Sequence, residues 1–379
     1  MKIYLTYAEP PSGVFSSQVA DVISFLNHKL NAEIKLVAFI SLHDFSNNRK
    51  KIKKELPSAI VLPMLPKATY WRLNVIQLWI LCFLLRPTSI IARNVIAANM
   101  ALKIRNSSAV KTVCFDGRGA IAAEWKEYDV NVVDQWKQEI DQLEQRAVIE
   151  SDYRIAVTEK LVDYWHKQYS YASGKHVVIP CTLNSSFLPN IPSDSEKTQA
   201  RKNIGLQAHD IVLAYSGSTA GWQSFSTLYN YLAPFLKQKS ENKVLFLSKP
   251  EDNIQQLEKE FPGQILQKWV NHHEVPMVLS ACDMGILIRE DSVTNRVASP
   301  TKFAEYLSAG LQVIITDNIG DYSDFVKEHH CGIIANGKPL PNIQNVDYTT
   351  RSRMINLVNL HFTKKAQLLN YSELMNNIN

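Results

Sequence analysis

The sequence is poor in the features that would place it outside ordinary globular proteins. Its five cysteines, at 82, 114, 181, 282 and 331, form no C-x-x-C pair. So scattered and odd a set argues against a zinc site or a disulfide framework and suits buried thiols in a reducing compartment. The opening "MKIYLTYAEPP" has one lysine and too short an apolar run for a secretory signal, and it reads as a first strand. There is no short repeat. Charge is nearly balanced, 41 Lys and Arg against 36 Asp and Glu, a net +5 that suits anionic ligands but is too weak to argue for nucleic acid. With 379 residues, 46% hydrophobic and 20% charged, the chain is long enough for two domains, each with its own core.

The longest apolar run is "WRLNVIQLWILCFLLRP", residues 71–87. Its charge-free core, Leu73 to Leu85, falls short of the ~20 residues a spanning helix needs, so a buried or interfacial helix is expected. Just upstream lies the basic run "RKKIKKEL", residues 49–56. Such runs are usually solvated helix faces; read together with the apolar helix, residues 49–87 also suit contact with anionic lipid.

Short apolar runs alternate with helical segments along the chain. "KIYLTY", "EIKLVAFI", "AIVLPML", "SIIARN", "KTVCFD" and "YRIAVT" read as strands. The alternation breaks at "VVIPCTLNSSFLPNIPSDSEKTQ", a Pro-, Ser- and Asn-rich linker composition, then resumes through "DIVLAYSGS", "KVLFLSK", "QILQKW", "DMGILIRE", "QVIIT" and "CGIIAN". The pattern predicts an α/β protein of two doubly wound, Rossmann-like domains, 1–180 and 181–355, with one or two helices at the end. Ligands of such sheets sit at the carboxyl ends of the strands, so two such domains would face those ends across a cleft.

Strand ends and helix starts therefore supply the candidate site. "ASPTKFAEYLSAGLQVIITDN", residues 298–318, reads as a helix with Ser299 as N-cap, Pro300 first, Lys302 third, and Gly310 as left-handed C-cap. A lysine in the first turn opposes the helix dipole unless an anion is near. Glu305, one turn on, is one partner; a bound phosphate is the other. Gly217 in "YSGS" permits a tight turn of the kind that cradles phosphate, or an ordinary turn. Lys249 ends another strand. Trp269 suits either a nucleobase wall or core packing, and His272 and His273 suit a loop better than a metal. Arg289 leaves the strand "DMGILIRE", and with Arg296 and Lys302 it is expected to gather at one rim, where Arg forks and backbone amides bind a diphosphate. In the first domain, Gly13 tips a strand-to-helix loop, while Arg93, Asp116 and Arg118 stand at strand ends, where a second substrate or the reacting bond is expected.

With these residues in place, the chain resembles the GT-B glycosyltransferases, most of all the bacterial cell-wall and polysaccharide enzymes allied to glycosyltransferase family 4. "SPTKFAEYLSAGLQVI" matches that group's P-x-K-x-x-E-Y-x-x-x-G-x-x-V-I signature, and "DMGILIRE", "YSGS", "IPCTLNSSFLP" and "FDGRG" agree in order and spacing. The resemblance implies transfer of a sugar from a nucleotide-diphosphate sugar to an acceptor hydroxyl, with retention. No metal is expected if Arg289 and Lys302 stabilise the diphosphate, no D-x-D-type motif is well placed, and no other cofactor is expected. It puts Glu305 on the donor ribose and Ser299, Pro300, Thr301 and Lys302 at the diphosphate and sugar. Gly217 and Ser218 fall at the phosphate-facing turn, Trp269 and Val270 beside the base, and Gly13 in the loop over the donor. It implies a glycan or lipid-linked acceptor, a cytoplasmic protein at the inner face of the plasma membrane, and terminal helices, 356–379, packed back on the first domain.

The sequence also departs from the pattern. Val297 stands where a second carboxylate is usual, Ser218 where Arg is common, and "DGRG" where a His is often found. Arg289 is then the candidate to restore positive charge, and Asp116 to orient acceptor or donor sugar. Two other readings use the same fold: a nucleotide-sugar 2-epimerase, and a non-catalytic sugar-nucleotide-binding scaffold.

Overall fold

A computed structural model describes the chain except residues 129–133, 186, 188–192, 218–224 and 379, and except the side chains at 134–136, 194 and 272. The described residues form two compact units. The first comprises Met1–Asn184, Val297–Ser299 and Lys364–Asn379; the second comprises Ser185–Arg296 and Pro300–Thr363.

The first unit is built on seven parallel strands: β1 (Lys2–Tyr7), β2 (Ile34–Ile40), β3 (Ile60–Pro63), β4 (Ser89–Arg93), β5 (Thr112–Gly117), β6 (Tyr153–Ala156) and β7 (His176–Val178). Their spatial order is β3-β2-β1-β4-β5-β6-β7. Strands such as "IKLVAFI" are apolar at consecutive positions because helices cover both faces of the sheet. Its helices are α1 (Gly13–Phe15), which passes through a π turn (Ser16–Ala20) into α2 (Asp21–Leu30), then α3 (Phe45–Glu55), α4 (Trp71–Leu85), α5 (Val95–Ile104), α6 (Ile121–Glu127), α7 (Asp134–Glu150) and α8 (Glu159–Tyr169).

α2 and α3 share one core with even-numbered β2 residues such as Leu36, Ala38 and Ile40, whereas α4 packs with α5 on the other face. The basic run and the apolar helix, neighbours in sequence, are therefore on opposite faces and do not make a single patch. The reason is topological. The chain moves from β2 outward to β3, then reverses past β1 to β4, and right-handed crossovers in opposite directions use opposite faces.

The second unit has six parallel strands: β8 (Ile211–Ser216), β9 (Asn242–Leu247), β10 (Ile265–Lys268), β11 (Met284–Leu287), β12 (Gln312–Thr316) and β13 (Gly332–Ala335), ordered β10-β9-β8-β11-β12-β13. Around them lie α9 (Asp194–Asn203), α10 (Phe225–Gln238), α11 (Asp252–Glu260), α12 (Val275–Ser280), α13 (Val293–Arg296), α14 (Thr301–Ser308), α15 (Tyr322–His329) and α16 (Tyr348–His361). Asp283, just before β11, is fully buried and holds one end of this sheet. It accepts from Arg201 (2.8 Å) and the Val212 amide (3.0 Å), with Lys197 and Arg351 at 3.4 and 3.7 Å.

α17 (Leu368–Asn377) returns to the first unit, burying Tyr371, Leu374 and Met375 in the core of α2 and α3. Lys364 precedes it, pairing with Asp21 and donating to the Leu183 carbonyl. Two expectations about segment ends need correction. Val177 and Val178 are the end of a three-residue strand paired with β6, and "SDSEKTQ" opens α9 with a Ser193–Glu196 capping box.

Candidate functional site

The strand order of the second unit reverses between β8 and β11, and the carboxyl ends at such a reversal form a ligand crevice. Gly217 leaves β8 with φ +111°, in the region that favours glycine. A β-carbon there would lie 2.4 Å from the Lys302 Nζ, so any other residue would shift the ammonium from its place against the turn. Lys302 Nζ also stands 5.5 Å over the Tyr215 ring. Tyr306, one helical turn beyond Lys302, accepts from the Ser216 amide (2.9 Å) and donates to the Ile286 carbonyl (3.3 Å), tying β8 to β11 at the reversal. Its ring fills the space that a β-carbon on Gly285 would need.

Arg289 emerges from β11 on the other side of the reversal. Its backbone amide donates to the Thr316 hydroxyl (3.0 Å), which returns a bond to the Arg289 carbonyl (2.9 Å), and its guanidinium donates to Asn295 (3.2 Å). Burial, reinforced by the Arg289 charge, lowers the Lys302 pKa to about 7 against the opposing pull of Glu305 and Glu251. Two cations, a glycine turn and a helix start thus meet in one place, with Glu305 and Glu251 near enough to act on Lys302.

α14 begins one residue later than its sequence suggests. Pro300 is the N-cap, Thr301 the first helical residue and Lys302 the second, and among the described residues no side chain caps the helix. The Ser299 hydroxyl instead accepts the Cys181 amide within the first unit (2.9 Å). At the other end, Gly310 (φ +78°) closes a Schellman motif, its amide bonded to Leu307 and that of Leu311 to Tyr306.

The other expected residues of this unit are spread more widely. Trp269 is 65% exposed, which removes core packing as its role, and the Lys249 ammonium stands 5.3 Å over its ring. Val270 is half-buried beside it. Arg296 gives its fork to Asp291 in an exposed pair at 2.7 Å, so it does not join Arg289 and Lys302. Ser218 lies outside the described residues.

In the first unit the strand order reverses between β1 and β4, and an ion pair bridges the reversal: Arg93 Nε to both oxygens of Glu9 (2.9 and 3.2 Å). Asp116, at the end of β5, is 1% exposed. It accepts from the Tyr4 hydroxyl and pairs with Arg93 (3.5 Å) and Arg118 (3.3 Å). Asp116 therefore holds the two arginines from beneath and does not present a carboxylate at the surface. Arg118 also reaches Gln18 (3.1 Å) and Cys181 Sγ (3.0 Å), and its side chain keeps 17% of its exposure. Gly13 opens α1, where the Ser12 hydroxyl caps the Phe15 amide (3.2 Å). Glu9, Tyr4 and Gln18 were not foreseen; Glu9 alone carries a signal, as an acid at the end of β1.

Comparison with solved structures gives the same architecture. Anabaena HepE in complex with UDP superposes with a TM-score of 0.71 at 11% identity, covering 98% of this chain and 99% of that one. The fold is GT-B. Sucrose-phosphate synthase from Thermosynechococcus elongatus follows at 0.69 and 11% identity, covering 100% and 98%. A putative UDP-N-acetylglucosamine 2-epimerase from Listeria monocytogenes matches at 0.55 and 9%, covering 100% and 89%, so the GT-B likeness extends to a second chemistry. No protein-family model and no curated protein matches the sequence.

Proposed function

We propose that this GT-B chain is a glycosyltransferase that moves a sugar from a nucleotide-diphosphate sugar to an acceptor hydroxyl. The observation that carries the reading is the Lys302 ammonium seated on the Gly217 turn at the strand-order reversal, with Arg289 on the opposite side. The UDP complex of HepE makes UDP the first donor nucleotide to try.

In this reading Lys302, Arg289 and the backbone amides at the start of α14 take the diphosphate, with Pro300 and Thr301 lining its path and Ser218 beside Gly217. Glu305 accepts the ribose hydroxyls. Trp269, with Val270 and Lys249, borders the base. The acceptor oxygen attacks the anomeric carbon, the bond from that carbon to the diphosphate breaks, and the electron pair leaves with the phosphate. The new bond forms on the face the diphosphate vacates, which retains configuration, and the acceptor proton passes to the leaving phosphate. Charge grows on the diphosphate as the bond breaks, so fixed cations stabilise the transition state more than the ground state. The reading calls on no metal for that task. Arg118, held by Asp116 and backed by Arg93, is the acceptor-side cation of the first unit, and Gly13 starts α1 just after the loop that leaves β1. The acceptor would be a glycan or a lipid-linked sugar, and the protein would work in the cytoplasm at a membrane face, in surface-glycan assembly.

Product analysis with UDP-sugars, with and without acceptor extracts, tests the reading. A transferase makes a glycosylated product that Lys302→Ala and Arg289→Ala lose. Epimerised donor without any acceptor would assign the site to 2-epimerase chemistry, and donor binding without any product would assign it to a scaffold.

A further inference from the structure

α4 carries large apolar side chains on every side, with Arg72, Asn74 and Gln77 as its polar residues, yet among the described residues only one side of it is packed against protein. Trp71, Asn74, Leu78 and Cys82 recur at helical spacing and are fully buried. Asn74 anchors that side, accepting the Leu65 amide (2.8 Å) and donating to the carbonyls of Leu65 (3.0 Å) and Tyr70 (3.1 Å). The opposite stripe is Leu73, Ile76, Ile80, Phe83 and Leu84, each between 49% and 70% exposed. A surface helix ordinarily carries polar residues there. Large apolar side chains in an unbroken stripe mark a contact surface, unlike single exposed ones.

By length and composition, Ala68–Leu85 is apolar enough to cross a membrane, with a mean hydropathy of 1.3 and only 22% of it buried. Packing argues against a crossing, because the inner stripe of Trp71, Asn74, Leu78 and Cys82 is committed to the first unit.

Charge selects the partner. From Leu56 to Phe115 the sequence has no Asp or Glu. Within that stretch Lys67 and Arg72 flank the start of α4, Arg86 its end, and Lys103 the neighbouring α5, all exposed. Lys103 Nζ stands 5.9 Å over the Trp71 ring. One opposing acid, Glu139 of α7, pairs with Arg72 at 2.8 Å. A second copy docked on this stripe would set its cations against their own images across a two-fold axis. An anionic lipid surface accepts both the apolar stripe and the cations. Tyr70 and Trp79 add the aromatic rings favoured at that depth, and the Trp79 indole N–H is already bonded to the Ser107 carbonyl (2.9 Å). α3, on the other face of the sheet, is not part of the patch.

We propose that α4 is a membrane-contact helix, lying flat in the interfacial layer of an anionic lipid surface. Leu73, Ile76, Ile80, Phe83 and Leu84 enter the acyl region, and Lys67, Arg72, Arg86 and Lys103 stay at the headgroups. The inference stands on α4 alone and does not need the donor reading to hold.

The test is co-sedimentation of the full chain with vesicles of phosphatidylcholine alone or mixed with phosphatidylglycerol, at low and high salt. The wild type is expected to bind the anionic vesicles and to be released by salt. The Ile80→Glu/Phe83→Glu variant should lower the bound fraction about tenfold or more, and Lys67→Glu/Arg86→Glu, which touches no core residue, should weaken anionic binding selectively. UDP stabilisation measured on the same variants keeps this outcome separate from the donor site. No binding by wild type at low salt, or unchanged binding by both variants, would overturn the proposal. So would a dimer, in the absence of lipid, that Ile80→Glu/Phe83→Glu dissociates.

Discussion

The Lys302 ammonium occupies the space beside Gly217 that any other residue's β-carbon would enter, at 2.4 Å. A glycine turn and a half-buried lysine, 85 positions apart in sequence, are thus brought into contact. Gly217→Ala is expected to push Lys302 out of place and to strain a backbone at φ +111°. Donor-nucleotide affinity should fall at least as far as in Lys302→Ala. That variant removes a charged hydrogen bond, so its cost is about 1.5–3 kcal/mol, or roughly 10–100-fold in Kd. Calorimetric titration of both variants checks this.

Lys302 also makes donor binding depend on pH. Burial and Arg289 hold its pKa at about 7 in the empty site, and a bound diphosphate would raise it. Binding then takes up a proton above about pH 7, so affinity should fall as pH rises, by up to about tenfold per unit. Below about pH 7 this group imposes no slope. An intact nucleotide-diphosphate sugar should be used, because its diphosphate does not titrate in that range. In Lys302→Ala the slope should vanish, and titrations across the alkaline range will show whether it does.

Glu144 sets a pH dependence of stability in the first unit. It is fully buried, and one oxygen accepts the Ala122 amide (2.7 Å) and the Tyr169 hydroxyl (3.2 Å). Burial raises its pKa from 4.5 to about 7 despite those bonds. A raised carboxyl value means the folded state binds the extra proton, so its stabilising effect is complete below about pH 4.5 and lost as pH rises through about 7. Thermal melts should therefore show the wild type losing stability across that window, and Glu144→Gln, which keeps an acceptor for Ala122, should flatten the loss.

Asp283 is the group whose loss the second unit should tolerate least. Asp283→Asn would leave Arg201 and Arg351, 4% and 3% exposed at their side chains, buried without the opposing charge. Breaking such a buried pair costs about 3–5 kcal/mol. Chemical denaturation should show that loss, whereas Asp291→Asn, in the exposed pair with Arg296, should cost less than about 1 kcal/mol.

Much of the fold was legible because its strands are continuous apolar runs and its helices are punctuated by Asn, Ser and Gly. β7 escaped because three residues beside a proline carry too little pattern against a linker composition. The first turn of α14 was misread because Ser299 looks like a cap locally, while its hydroxyl goes to Cys181, 118 residues away. Asp116 was legible as a strand-end acid, but not as one enclosed by Tyr4, Arg93 and Arg118, since burial is set by elements far apart in sequence. The grouping of Lys302 with Arg289 was anticipated because both follow from the same strand-and-helix register; Arg296 was not excluded because its partner Asp291 sits in a loop with no period.

The central claim, that the Gly217 turn and Lys302 hold a nucleoside diphosphate, is tested most directly by thermal shift of wild type and Lys302→Ala against UDP, GDP, ADP, TDP and CMP. A ligand at 100 times its Kd stabilises by about 2.7 kcal/mol, which moves a melting curve measurably. The account predicts a clear shift with one diphosphate, UDP first among them, and its loss in Lys302→Ala. Equal shifts in both proteins, or none with any nucleotide, would contradict it.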